Sequence, residues 1–306
     1  MTSSSEVVLV GVPVTCVGMP EPGDPSTGTE KAPAALRAAG LADAVAAVAD
    51  LGDLDVRLTG PERDAGTGVQ GWPSVRATTE KLRAGIAEII GADRLPLVLG
   101  GDCTLLPGAL AGAHDALGNV GLAYLDGHLD LYDGRTSTTG EPADMPLSVV
   151  TGNGPAAWCE SVGAPLVSPG RLALLGPRDR AEAAGLHAAM PEDIGLRAEA
   201  DPEDLRARGL PEAGAEARDQ LSVGASARFW VHLDVDVLDE EVFPATDYLM
   251  PGGLTLGELH ALMRPLAADP ALLAGLSVGC YNPAKDPDGS GAEALVALLE
   301  ELLRHP

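Results

Sequence analysis

Short Val- and Leu-rich runs, several apolar at every position, alternate along this chain with Ala-rich stretches of helical period. A run that is apolar throughout reads as a strand buried on both faces, the condition met in a parallel sheet covered by helices. The expected class is therefore α/β, a three-layer αβα sandwich with a mainly parallel sheet. Strands are predicted at Val7–Val12, Leu95–Leu99, Val120–Leu125, Leu172–Leu175, Phe229–Asp234 and Leu276–Val278, and helices at Ala32–Ala39, Ser74–Ile90, Leu256–Ala267 and Ala292–Arg304. No internal repeat of about 20–50 residues is present, and no linker divides the chain into halves, so one domain over residues 1–306 is expected. Two stretches, Gly18–Gly28 and Glu182–Ser226, read as long surface excursions, the second able to hold short helices over the sheet.

Charge narrows the function classes. The 20 Lys and Arg stand against 45 Asp and Glu, a formal charge of −25, which repels a phosphate backbone and disfavours nucleic acid and anionic membranes as partners. No apolar run approaches the roughly 20 residues of a spanning helix. Four scattered cysteines without a C-x-x-C pair, and no basic residue ahead of Val7–Val14, point to a reducing cytoplasm.

Aspartate and histidine collect where predicted strands end, the side on which open α/β sheets bind ligands. One such end is Leu97-Val98-Leu99-Gly100-Gly101-Asp102-Cys103-Thr104, whose double glycine permits a sharp turn. In the next, Tyr124-Leu125-Asp126-Gly127-His128-Leu129-Asp130, an extended chain would place Asp126, His128 and Asp130 on one side. The same parity aligns His232, Asp234 and Asp236 in the segment from Trp230 to Asp239. So many carboxylates at adjacent strand ends require cations to neutralise them. A mostly carboxylate set with one imidazole suits Mn²⁺ better than a structural zinc, and the number of acids suggests two ions, which together can activate water near neutral pH. Asp102 and Asp239 are expected to brace the turns, while His114, His187, His260 and His305 fall outside every motif.

In this order the three segments resemble the signature motifs of the arginase (ureohydrolase) family. Gly11-Val12-Pro13, the stretch from Gly28 to Leu41, Phe243-Pro244-Ala245-Thr246, Pro251-Gly252-Gly253-Leu254-Thr255 and Tyr281-Asn282-Pro283 extend the likeness over nearly the whole chain. The resemblance implies an arginase-like fold, a homo-oligomer and a hydrolase of linear amidine C–N bonds in small guanidino compounds. It makes Asp126 and Asp234 bridging carboxylates, His128 and Asp236 ligands of one metal, and Asp130 a ligand of the other. Cys103 stands where the family has a histidine ligand. It either binds as a thiolate, favouring Zn, Fe, Co or Ni over Mn, or does not bind and leaves that site weak.

Two departures concern substrate. Ala143 occupies the position of a proton-shuttling histidine, so another acid has to protonate the leaving amine, with Glu141, Asp144 and His232 in plausible reach. Cys280 replaces a glutamate that pairs with the guanidinium, and core packing is the expected role for its thiol. Together they favour a modified, less basic guanidine such as N-hydroxyarginine over arginine or agmatine. The alternatives are a catalytically degenerate member that binds metal or ligand, and a hydrolase of a formimino or amide C–N bond.

Overall fold

The computed structural model describes residues 6–19, 28–224 and 227–304. Eight parallel strands form one sheet: β1 (Val7–Val12), β2 (Ala49–Asp53), β3 (Leu95–Gly100), β4 (Gly121–Leu125), β5 (Leu172–Leu175), β6 (Glu199–Ala200), β7 (Phe229–Asp234) and β8 (Leu273–Gly279), in the spatial order β2-β1-β3-β8-β7-β4-β5-β6. Alternate residues feed two cores. Leu97, Leu99, Ala123, Leu125, Val231 and Leu233 pack on one face with Leu36, Leu262 and Leu299. Val98, Leu122, Tyr124 and Trp230 pack on the other with Leu82, Leu110 and Trp158. This is the three-layer arrangement that the apolar runs imply, since each strand must be covered on both sides.

The helix at Leu256–Ala267 has the expected bounds, with Thr255 and Glu258 closing a capping box at its start. Those at Ala32–Ala38, Trp72–Gly91 and Ser290–Arg304 agree within two residues. The sequence reading missed the edge strands β2 and β6: β2 is half exposed and reads Ala-Asp-Leu-Gly-Asp, with no apolar run to find. It also missed the helix Leu106–Leu117, which is apolar nearly all round because it is buried against Trp72–Gly91. The excursion after Glu182 holds helices at Pro202–Arg208 and Leu210–Leu221, while most of Gly18–Gly28, Met1–Ser5 and His305 lie outside the described residues. Among the described residues no helix is long and apolar enough to cross a membrane.

The strand order places the chemistry. β3 and β4 follow each other in sequence but are separated in the sheet by β8 and β7, so the chain turns in opposite directions from this point and leaves a crevice at the carboxyl ends. Register aligns those ends: Leu99 pairs with Val278, Val278 with Leu233, and Leu233 with Leu125. The residues just beyond are Cys103, Cys280, Asp234 with Asp236, and Asp126 with His128.

Candidate metal centre

Each key carboxylate is pinned by the backbone through one oxygen. Asp126 Oδ1 accepts from the His128 N–H at 2.6 Å, Asp234 Oδ1 from the Asp236 N–H at 2.8 Å, and Asp236 Oδ1 from the Gly127 N–H at 3.0 Å. The third bond runs between the loops after β4 and β7 and ties the two together. Ligand atoms of Asp126, His128 and Asp236 lie within 4.8 Å of one another, with His128 Nδ1 3.1 Å from Asp236 Oδ2. Cys103 Sγ is 2.7 Å from Asp234 Oδ2, 3.7 Å from Asp126 Oδ2 and 3.2 Å from His232 Nε2.

The loop carrying Cys103 is built by its glycines. A Cβ on Gly101 would collide with the Val14 carbonyl, and one on Gly100 with the Leu105 side chain, so only glycine lets the chain leave β3 here. Asp102 braces the turn as expected, its carboxylate accepting from the N–H groups of Cys16 at 2.6 Å and Thr104 at 3.0 Å. Asp239 does the same beyond β7, accepting from Glu241 and Gly252.

The electrostatics are those of donors gathered ahead of a cation. Burial, then the charge of Asp236, pushes Asp126 up to about 6. Burial, then Asp236 and Asp126, pushes Asp234 well above the carboxylate range, and burial with Asp126 does the same to Asp130. Burial would raise Asp236 too, but the facing imidazole of His128 holds it low. His128 in turn rises well above its ordinary value, because Asp236 and Asp126 outweigh its own desolvation. Several acids crowd against one imidazole, a set that fits divalent ions and relieves its repulsion on binding them.

Two sequence expectations change in the structure, and a third gains a contact. The chain does not stay extended after β4: Asp130 has φ +49°, and its Oδ2 accepts from the buried Tyr124 hydroxyl, outside the clusters formed by Asp126 and His128. The parity argument fails there because the strand ends at Leu125. His232 is fully buried beneath Cys103, its Nδ1 2.7 Å from Ser277 Oγ, and burial holds it down to about 3, so its ring is neutral at pH 7 and is not the acid that protonates a leaving amine. Cys280 packs, partly buried, against the core as expected, and it has a second role. It lines the cavity in front of the cluster, in a left-handed conformation with φ +63°, and its sulfur is 3.7 Å from that of Cys103.

That cavity, about 430 Å³, has the cluster at its base and Tyr132, Ala143, Asp144, Asp247 and Tyr248 among its walls. Asp144 faces it with Oδ2 held by the hydroxyls of Ser137 and Thr139, and burial pushes its carboxyl up. Glu141 does not reach the wall; it sits behind Tyr248, whose hydroxyl donates to it. Sequence reasoning missed Tyr248, which meets the His128 ring edge-on at 5.9 Å, and gave Asp179, which accepts from the Leu129 N–H at 3.0 Å, no role. Neither sits in a motif with a distinctive spacing; only the fold brings them to the mouth.

Comparison with known proteins places this geometry. The family model described as Arginase family matches residues 5–304, and the chain belongs to that family, whose members are hydrolases acting on linear amidines. It is 29% identical over 296 residues to an arginase of Bacillus subtilis, covering 95% of this chain and 97% of the relative. The solved arginase of Bacillus caldovelox superposes with a TM-score of 0.84 at 25% identity, covering 99% of both chains. The proclavaminate amidino hydrolase of Streptomyces clavuligerus shares the fold at 19% identity, with a TM-score of 0.70 over 98% of this chain and 90% of that one.

Proposed function

We propose that this chain hydrolyses the C–N bond of a small guanidino compound, releasing urea or a urea derivative, with two divalent ions held at the strand ends. The observation that supports this most directly is the triad of buried aspartates, each anchored through one oxygen by a backbone N–H, grouped with His128 at the base of an acid-lined cavity. His128, Asp236 and Asp126 would hold one ion, with Asp126 and Asp234 shared toward the second, beside Cys103. Such ions supply a water acidic enough to act as a nucleophile near neutral pH, and positive charge for the tetrahedral centre that follows.

The remaining work falls to the walls. Asp144, Asp247, Asp179 and Glu182 make the cavity attractive to a cationic group. Asp144 is the proton donor to the leaving amine in this reading: it faces the cavity, two hydroxyls orient it, and burial favours its protonated form. Glu141 positions Tyr248 over the His128 ring rather than touching substrate. Because a thiol stands at Cys280 in place of a carboxylate, an N-hydroxylated or otherwise less basic guanidine is the favoured substrate over arginine itself.

The test is product release from arginine, agmatine, guanidinobutyrate, N-hydroxyarginine and formiminoglutamate, each with Mn²⁺, Co²⁺ or Zn²⁺. The reading expects urea or hydroxyurea from guanidino compounds, fastest with the N-hydroxylated one. No urea-type product under any combination would overturn it, and a formimino product alone would move the activity to that bond.

A further inference from the structure

The loops after β3 and β8 are joined by the bond from Cys280 N–H to the Gly101 carbonyl at 2.7 Å, and this brings two sulfurs and a carboxylate to one point. Ligand atoms of Cys103, Asp234 and Cys280 lie within 4.8 Å of one another. We propose that these three residues form a thiophilic metal site, suited to Zn²⁺ or Co²⁺, beside a harder-ion site at Asp126, His128 and Asp236, so that the centre holds two chemically different ions. This deepens the functional reading above by assigning Cys280, rather than Asp130, to the second ion.

Three observations support it. A tetrahedral ion with metal–sulfur bonds of ~2.3 Å sets its two sulfurs ~3.8 Å apart; Cys103 and Cys280 are at 3.7 Å. Asp234 Oδ2 is buried, and its partners among the described residues are thiols, which are weak donors, whereas Oδ1 has a backbone N–H. Asp130, the acid that the family pattern would supply here, lines the same cavity, but its Oδ2 already accepts from the Tyr124 hydroxyl and it joins none of the close ligand groups, whereas Cys280 does. Two thiolates and one carboxylate leave a fourth tetrahedral position for the shared Asp126 oxygen or a small ligand, and sulfur donors select a softer ion than the carboxylate–imidazole group next to them.

The test uses the full-length protein, stripped with a chelator, kept reduced by a phosphine and titrated with Co²⁺. Thiolate-to-cobalt charge transfer in the near ultraviolet scales with the number of bound sulfurs. Cys103→Ser and Cys280→Ser should each lose about half of the band, and Asp236→Asn should leave it unchanged. In a second measurement that needs no variant, one equivalent of Zn²⁺ should protect both Cys103 and Cys280 from alkylation while the half-buried Cys159 stays reactive. A band that Cys280→Ser leaves intact, no band at all, or Cys280 alkylated at the same rate with and without Zn²⁺ would overturn the proposal. Urea release measured alongside separates the two readings. Turnover without charge transfer sinks this site and spares the activity, whereas charge transfer without turnover does the reverse.

Discussion

Chelation should make this protein's stability fall as pH rises from 4 to 7, the reverse of ordinary acid denaturation. Asp126 and Asp179 are each pushed from the ordinary 3.8 up to about 6, chiefly by burial. An acid whose folded pKa is raised carries no penalty below its unfolded pKa and the full penalty above the folded one. The loss therefore accrues between about pH 4 and 6. At 1.36 kcal/mol per pH unit each gap is worth about 3 kcal/mol. Asp236, held low, already contributes its full stabilisation above about pH 4, and His128, raised, loses its own only above its unfolded pKa, so neither opposes the trend in this window. For 306 residues the unfolding entropy is about 0.6 kcal/mol/K, which makes each aspartate worth roughly 5 °C in Tm. Calorimetry in chelator at pH 4, 5, 6 and 7 measures the slope. Asp126→Asn should flatten it in part, since Asp130, Asp144 and Asp234 are raised too, and should raise the chelated Tm at pH 7 by up to about 5 °C while impairing metal binding. Saturating divalent metal should reverse the slope, because binding strengthens as ligands lose protons and adds about 2.7 kcal/mol at 100 times Kd. A chelated Tm that stays flat or climbs from pH 4 to 7, or an Asp126→Asn slope equal to the parent's, would show that these buried acids do not carry the penalty.

Other consequences can be checked singly. Asp144→Asn should lower kcat by about 10²-fold or more with little change in KM, read from steady-state urea release, since it removes a proton donor and keeps the shape. Ser277→Ala leaves the Trp230 Nε1–H and His232 Nδ1 without their common partner in the core, and should cost about 1–3 kcal/mol, seen as a lower urea midpoint at unchanged slope. Gly101→Ala forces the loop away from the Val14 carbonyl; Tm should drop by several degrees and metal stoichiometry, measured by elemental analysis, should fall with it.

The sequence disclosed the parts of the site that lie on strands and their first turns. Asp126, His128, Asp234 and Asp236 are legible because buried strands announce themselves as apolar runs, and the polar residues that end such runs must sit at the sheet's rim. Asp130 reaches the same cavity by another route than period two, which holds only while the backbone is extended, because the chain turns into the left-handed region at that residue. Cys280 was read as packing because a lone cysteine is most often buried; its proximity to Cys103 depends on β3 and β8 being neighbours although 177 residues separate the two cysteines. Asp144 is legible as a candidate from its segment, but which acid faces the cavity, and Tyr248 beside it, are set by tertiary contacts such as the four carbonyls, those of Gly68, Gly134, Ser137 and Thr138, gathered by the Arg63 guanidinium. No spacing rule encodes those contacts. The edge strands β2 and β6 escaped for the opposite reason: half exposed or only two residues long, they bury too little to leave a hydrophobic signature.

The acids at the central strand ends are held together to grip divalent ions. Anomalous diffraction from crystals grown with saturating Zn²⁺ and Mn²⁺, collected at the absorption edge of each, tests it most directly. Two peaks are expected, one among Asp126, His128 and Asp236, the other among Cys103, Asp234 and Cys280. Maps with no peak among those carboxylates at either edge would contradict the account.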